Sequence, residues 1–204
     1  QQCHVVDTAR WDRTNGRLYR MSWKETFEPV RVKDLASASE KQLLSALRHK
    51  NEWFSRMAQH QIRQRAADKP ISPELATSLR STVFDQTQLH RFRHLVALDG
   101  TGQLNQNDFT KLLKDTDETI RAHALHLLTN QVGEQPRPHS DALLNLAKSD
   151  PSSRVRLALA GAAQHRLPED MRLPILLALA DRSEDTHDRF IPKLIWYALS
   201  PFAK

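Results

Sequence analysis

The chain has 204 residues, 39% of them apolar, with 30 basic and 24 acidic side chains and a net charge of +6. The 5 glycines and 6% aromatic content argue against a large β-sheet protein, and one cysteine, Cys3, excludes an internal disulfide or a cysteine-rich metal site. No stretch approaches the roughly 20 apolar residues of a membrane span, and the mild basic excess permits an anionic partner without demanding one.

Residues 1–23 differ in pattern from the rest of the chain. Asp12-Arg13-Thr14-Asn15-Gly16 reads as a turn, and Arg17 to Trp23 alternates polar and apolar side chains as a strand does. The segment is expected to be the last strand of a β-domain, which makes the chain a piece of a longer protein. Residues 24–38 read as a linker. Ser39-Glu40-Lys41-Gln42 has the pattern of a helix start with a reciprocal cap.

From there the pattern predicts ten helices in five pairs. The first pair runs from Ser39 through Leu47 and from Glu52 to about Ala66. Glu74 to Phe84 is followed by Thr87 to Leu98, and Asn107 to Lys114 by Glu118 to Val132. Ser140 to Lys148 is followed by Ser152 to Arg166, and Pro168 to Ala180 by His187 to Leu199. The clearest stretch is Asp150 to Ala163. Asp150 and Pro151 are expected to open a helix, Val155 and Leu159 to supply an apolar face, and Ala158, Ala160 and Gly161 to admit a close neighbour. Similar cassettes recur, each with a polar turn and then an arginine opening an apolar helix. The arginines stand at 56, 91, 121, 156 and 189. Recurrence at about 30–45 residues is the mark of stacked helical repeats. The apolar end, Ile195 to Phe202, suits burial against the stack or against a further repeat.

These cassettes resemble HEAT-type, armadillo-like repeats: two antiparallel helices, an Asp-rich or Pro-containing turn, and an arginine near the start of the second helix. The resemblance implies a right-handed α-α superhelix of about five hairpins over residues 39–204. It also implies that turn aspartates and arginines bond between adjacent repeats. Asp150 with Arg156 and Asp117 with Arg121 match that pattern best.

A wider resemblance rests on Trp11 to Arg20, Val32 to Leu35 and Leu47 to Arg56. These stretches are similar to a multidomain family of planctomycetes and verrucomicrobia, described as membrane-bound dehydrogenases or haem-binding proteins. Its members join a sugar-dehydrogenase-like β-propeller to helical repeats and, usually, a cytochrome c-type haem domain. The resemblance implies that residues 1–23 end the propeller and that 39–204 are a non-catalytic scaffold linking or docking domains. Its partners would be the propeller and haem domain in cis, or a docked protein. It implies an extracytoplasmic location, where haem c is attached, and no cofactor within this segment. Cys3-His4 lacks the first cysteine of a haem-attachment motif.

Other chemistry reads weakly. His90 and His94 share a helix face but show no third metal ligand beside Arg91 and Arg93, and His123 with His126 is a similar pair. Asp115, Asp117 and Glu118, like Asp181, Glu184, Asp185 and Asp188, sit where helix N-termini favour negative charge. Asp99-Gly100-Thr101-Gly102 lacks the other ligands of a calcium loop and the lysine of a phosphate loop. Arg10, Arg13, Arg17 and Arg20 form a basic cluster around the expected strand. Arg56, Arg91 and Arg93 are candidates to contact an anionic partner along one groove. The alternative reading is therefore a basic helical module that binds nucleic-acid backbone.

Overall fold

The computed structural model describes residues 21, 23–28, 34–130 and 136–202. It divides into two compact units, Gln1–Asp34 and Leu35–Lys204. In the first unit the described residues form a turn after Trp23, whose indole Nε1–H donates to Glu25 at 3.2 Å. The expected strand, Cys3-His4 and the Arg10–Arg20 cluster lie outside the described residues; Met21 and Trp23, which are described, are not in a strand.

The second unit is all-α among its described residues. Its helices are α1 (Glu40–Leu47), α2 (Glu52–Asp68), α3 (Pro73–Phe84), α4 (Arg91–Asp99), α5 (Gln106–Leu112), α6 (Glu118–Asn130), α7 (Ser140–Ser149), α8 (Ser153–His165), α9 (Glu169–Ala180) and α10 (Ile191–Leu199). Most starts have local chemical causes. Ser39 and Gln42 form the reciprocal cap of α1, with bonds of 3.3 and 2.8 Å. Asn51 accepts the Trp53 N–H at the start of α2, and Ser72 accepts the Leu75 N–H ahead of Pro73. Asn105 and Asp108 make a second reciprocal cap for α5.

Two starts come later than the sequence suggests. The Asp85 carboxylate binds the Thr87 N–H and the Thr87 hydroxyl, and His90 adopts a left-handed φ of 61°. Those bonds hold residues 85–90 as a turn, and α4 begins at Arg91. Asp188 accepts the N–H groups of Phe190 and Ile191 at 2.7 and 2.9 Å, which delays α10 to Ile191. Likewise Asp150 and Pro151 precede α8 rather than opening it; Ser152 is the capping position.

Each odd-numbered helix packs on the even-numbered helix after it, and each even-numbered helix touches the next even-numbered one. Among the described residues, every extensive helix–helix contact joins helices no more than two places apart in the chain. The core runs through these contacts as Leu43, Leu47, Ile62, Leu79, Leu98, Phe109, Leu128, Leu143, Leu159 and Leu176. Full burial of such a side chain contributes roughly 1.5–3 kcal/mol. The core also takes in Leu35 and Ala38, and Arg65 donates to the carbonyls of Ala36 and Ala38. The end of the expected linker thus belongs to the helical unit. On α8, Ala160, Ala162 and Ala163 are buried, and their small size lets α6 and α10 approach from either side. On α10, Ile195 and Ala198 are buried, whereas Trp196 and Tyr197 remain 65% and 62% exposed. The terminal apolar run is therefore covered along one side of α10.

Candidate functional site: an arginine–aspartate ladder between helix pairs

Three buried ion pairs connect successive helix pairs. Arg91, at the start of α4, places both terminal nitrogens on the Asp115 carboxylate, in the turn before α6. Arg121, on α6, donates from Nε and Nη2 to Asp150, in the turn before α8, at 2.8 and 2.9 Å. Arg156, on α8, donates in the same way to Asp185, in the turn before α10. A planar guanidinium meets a planar carboxylate along two parallel bonds, the strong form of this interaction.

The rungs are also joined to one another. Arg121 Nη1 donates to the carbonyl oxygen of Asp115 at 2.8 Å, while the Asp115 carboxylate holds Arg91. Arg156 Nη1 donates to the carbonyl of Asp150 at 2.8 Å, while the Asp150 carboxylate holds Arg121. Asp115 and Asp150 thus each serve their own helix pair through the backbone and the preceding pair through the side chain. The aspartates are oriented in turn: Asp115 accepts the Asp117 N–H, and Asp150 accepts the Ser152 N–H. The bonds to Asp150 push the Arg121 guanidinium above its ordinary pKa, and those to Asp185 do the same for Arg156. The Arg121 and Arg156 guanidinium groups therefore stay charged at neutral pH.

These contacts change the sequence-based pairing. Arg121 and Arg156 do not pair with the aspartates of their own turns through the carboxylates; each reaches the next turn. Asp117 takes no part in the ladder. It is exposed, and its side chain accepts the Thr119 N–H at 2.7 Å, which makes it a local cap for α6. Asp115 occupies the place expected of Asp117, and Asp185 forms the last rung. One partial signal lies in the sequence: an aspartate stands six residues before the arginine in Asp115/Arg121 and Asp150/Arg156, although Asp85/Arg91 has the same spacing with Asp85 exposed, and Asp185 has Ile191 at that place.

Of the candidate anion contacts, Arg91 is buried against Asp115 and the Val83 carbonyl. Arg93 reaches Glu52 and donates to the carbonyls of Leu47 and His49 at 3.2 and 2.9 Å, tying α4 to the end of α1. Arg56 alone of the three is well exposed, with Glu52 at 3.8 Å one turn away. Arg91 and Arg93 are thus internal ties, and a groove built on all three does not form.

A second set of bonds links the odd-numbered side. Glu40 accepts the Ser72 hydroxyl, Arg80 binds Asp108 at 2.7 Å, His139 and Gln106 share a bond of 2.5 Å, and Arg137 binds Asp170 at 2.7 Å.

The remaining titratable groups have structural surroundings. His94 is buried with Nδ1 3.0 Å from the His90 carbonyl, and burial lowers its pKa; exposed His90 does not join it as a ligand pair. Burial pushes His123 down to about 4, with the ring edge-on to Phe92 at 4.8 Å and stacked on His126 at 6.1 Å. Asp99 is pushed up by burial at the end of α4, where Gly100 caps the helix and Gly102 turns the chain with φ +68°. Glu184 binds Arg182, and Asp188 caps α10. Among the described residues no group of three or more His, Cys, Asp or Glu could hold a metal ion, and no helix is long and apolar enough to cross a membrane.

Compared with protein-family models, with curated proteins and with solved structures, the chain matches none.

Proposed function

We propose that residues 39–204 form a HEAT-like, right-handed α-α superhelix of five hairpins that acts as a non-catalytic scaffold and interaction module. The observation that carries this reading is the continuous run Arg91–Asp115, Arg121–Asp150, Arg156–Asp185. Buried ion pairs contribute little net stability but are demanding in geometry, so they fix the angle between neighbours. Extensive contacts restricted to helices close in the chain support the same reading. A module of this kind works by holding attached or docked partners at a set separation.

The wider proposal places this module in a multidomain protein of the propeller, helical-repeat and haem type, in an extracytoplasmic compartment. Its support is the similarity of Trp11–Arg20 and Leu47–Arg56 to that family. Catalysis and haem chemistry would then belong to other domains.

The test is a spin-label distance measurement on the whole chain, with labels at the exposed positions Lys41 on α1 and Lys193 on α10. A rigid scaffold gives one narrow distance distribution. A broad or multiple distribution overturns the proposal.

The alternative, binding to nucleic-acid backbone, draws support from the exposed Arg56, Arg63 and Arg154 on even-numbered helices. Titration of a DNA duplex at rising salt tests it, since each neutralised phosphate steepens the loss of affinity.

A further inference from the structure

The two layers of helices present different surfaces. On the odd-numbered helices the exposed charges are mixed: Glu74, Asp141, Glu169 and Asp181 lie among Lys41, Lys111 and Lys148. On the even-numbered helices the exposed and partly exposed positions together recur every three or four residues and form one stripe per helix, as on any half-buried helix. These stripes carry Arg56 and Arg63 on α2, Arg154 on α8 and Lys193 on α10, with Arg166 at the end of α8. Glu52 and Glu118, at the first residues of α2 and α6, face Arg93 and Arg154. Asp68, the last residue of α2, is exposed, and Asp99 is half-buried, with burial favouring its neutral form.

Between these cations the surface is largely apolar, with Phe92 and His123 as its bulky side chains. Val96 on α4, Ala122 on α6, and Leu157, Ala158 and Gly161 on α8 are partly exposed. A Cβ placed on Gly161 would meet no atom within 4 Å, so open space lies above α8. Side-chain contacts join the stripes into one surface. Phe92 on α4 packs on His123 of α6, His126 lies 3.3 Å from Arg166, and Arg154 donates to Thr119 of α6 at 3.1 Å. His123 is neutral at pH 7, so its ring acts as an aromatic wall and not as a cation.

We infer that the surface of α4, α6 and α8 is a docking trough for an acidic amphipathic helix, whose apolar stripe lies along Val96, Ala122, Leu157 and Ala158 and whose carboxylates reach Arg63, Arg154 and Arg166. This inference rests on the interaction-module reading and names the chemistry of its partner. A docked amphipathic helix needs an apolar strip with opposite charges beside it, and this surface offers Val96, Ala122, Leu157 and Ala158 together with Arg63, Arg154 and Arg166. A phosphate backbone needs cations along the floor, where this surface has Ala122, Ala158 and Gly161. Cations at the rims would steer an acidic partner and set its register.

The test uses the whole chain and a fluorescent synthetic amphipathic peptide of about 20 residues, with a leucine stripe flanked by glutamates. A peptide with the same leucines and lysine flanks is the control, and a DNA duplex is the competing probe. The acidic helix is expected to bind at least about tenfold more tightly than the lysine version. Arg63→Glu with Arg154→Glu should weaken it by a similar factor, and a thermal melt of this variant checks that the fold survives loss of the Arg154 bonds to Thr119 and Glu118. Gly161→Arg is the decisive variant because it fills the trough while adding a positive charge. The inference predicts weaker binding of the acidic helix by Gly161→Arg. Unchanged or tighter peptide binding overturns it, as does a duplex that outcompetes the peptide and binds Gly161→Arg more tightly. Failure here with a single narrow Lys41–Lys193 distance would remove the trough and leave the scaffold; a broad distance distribution would remove the scaffold itself.

Discussion

Arg121 and Asp150 lie 29 residues apart in the chain, and the guanidinium and carboxylate meet edge to edge through bonds of 2.8 and 2.9 Å in a buried site. Neither charge has an alternative partner of equal quality there. Asp150→Asn leaves a cation in a dry place and is expected to destabilise the protein by on the order of 3–5 kcal/mol. Arg56→Ala, at an exposed arginine, should stay within about 0.5 kcal/mol of the wild type. Urea unfolding of both variants measures the contrast.

His123 gives the protein a pH dependence of definite sign. Its pKa falls from 6.5 to about 4 in the folded chain because burial disfavours the imidazolium. Between those values the unfolded chain binds more protons than the folded one, so unfolding becomes easier as pH drops. The contribution is complete above pH 6.5 and is lost progressively towards 4. His94 and His139, also lowered by burial, act in the same direction. Asp99, raised by burial, acts oppositely and loses its contribution as pH rises through the carboxylate range. The urea midpoint should therefore fall from pH 7 to about 4.5, and His123→Phe, which keeps an aromatic ring against Phe92, should flatten the curve.

Gly161 lies in the interior of α8, where a residue without Cβ weakens a helix. Open space surrounds the missing atom. Gly161→Ala should raise stability by about 0.8–1 kcal/mol, read as a higher thermal midpoint. A lower midpoint would show that α8 needs the glycine for a close approach.

His90 holds φ at 61° just before α4, a conformation that strains a side chain carrying Cβ. Its useful group is the backbone carbonyl, which accepts the N–H bonds of Arg93 and His94. His90→Gly keeps that carbonyl and should stabilise by about 0.5–1 kcal/mol. His90→Val should destabilise, and denaturation of the two variants side by side decides the matter.

Much of the helical pattern is legible along the chain because its causes are local. Ser39 with Gln42, Asn51 ahead of Trp53, and Pro73 after Ser72 each act within four residues. The late starts of α4 and α10 are harder to read, since they depend on Asp85 and Asp188 choosing turn bonds over helix propagation. The ladder is half visible. Its arginines repeat, but Asp115 and Asp117 are equally acidic in sequence, and only the path of the turn decides which one faces inward. That Arg121 meets Asp150 requires knowing that α6 and α8 are neighbours. The mixed charges of the odd-numbered side and the basic even-numbered side likewise emerge only when distant helices share a surface.

Native-state hydrogen exchange on Asp150→Asn tests most directly whether each helix pair is held by its neighbours alone. Faster exchange is expected in α6 to α8, adjoining the lost rung, with α1 to α3 protected as in the wild type. An equal loss of protection in every helix would show a single cooperative core and contradict that dependence on neighbours.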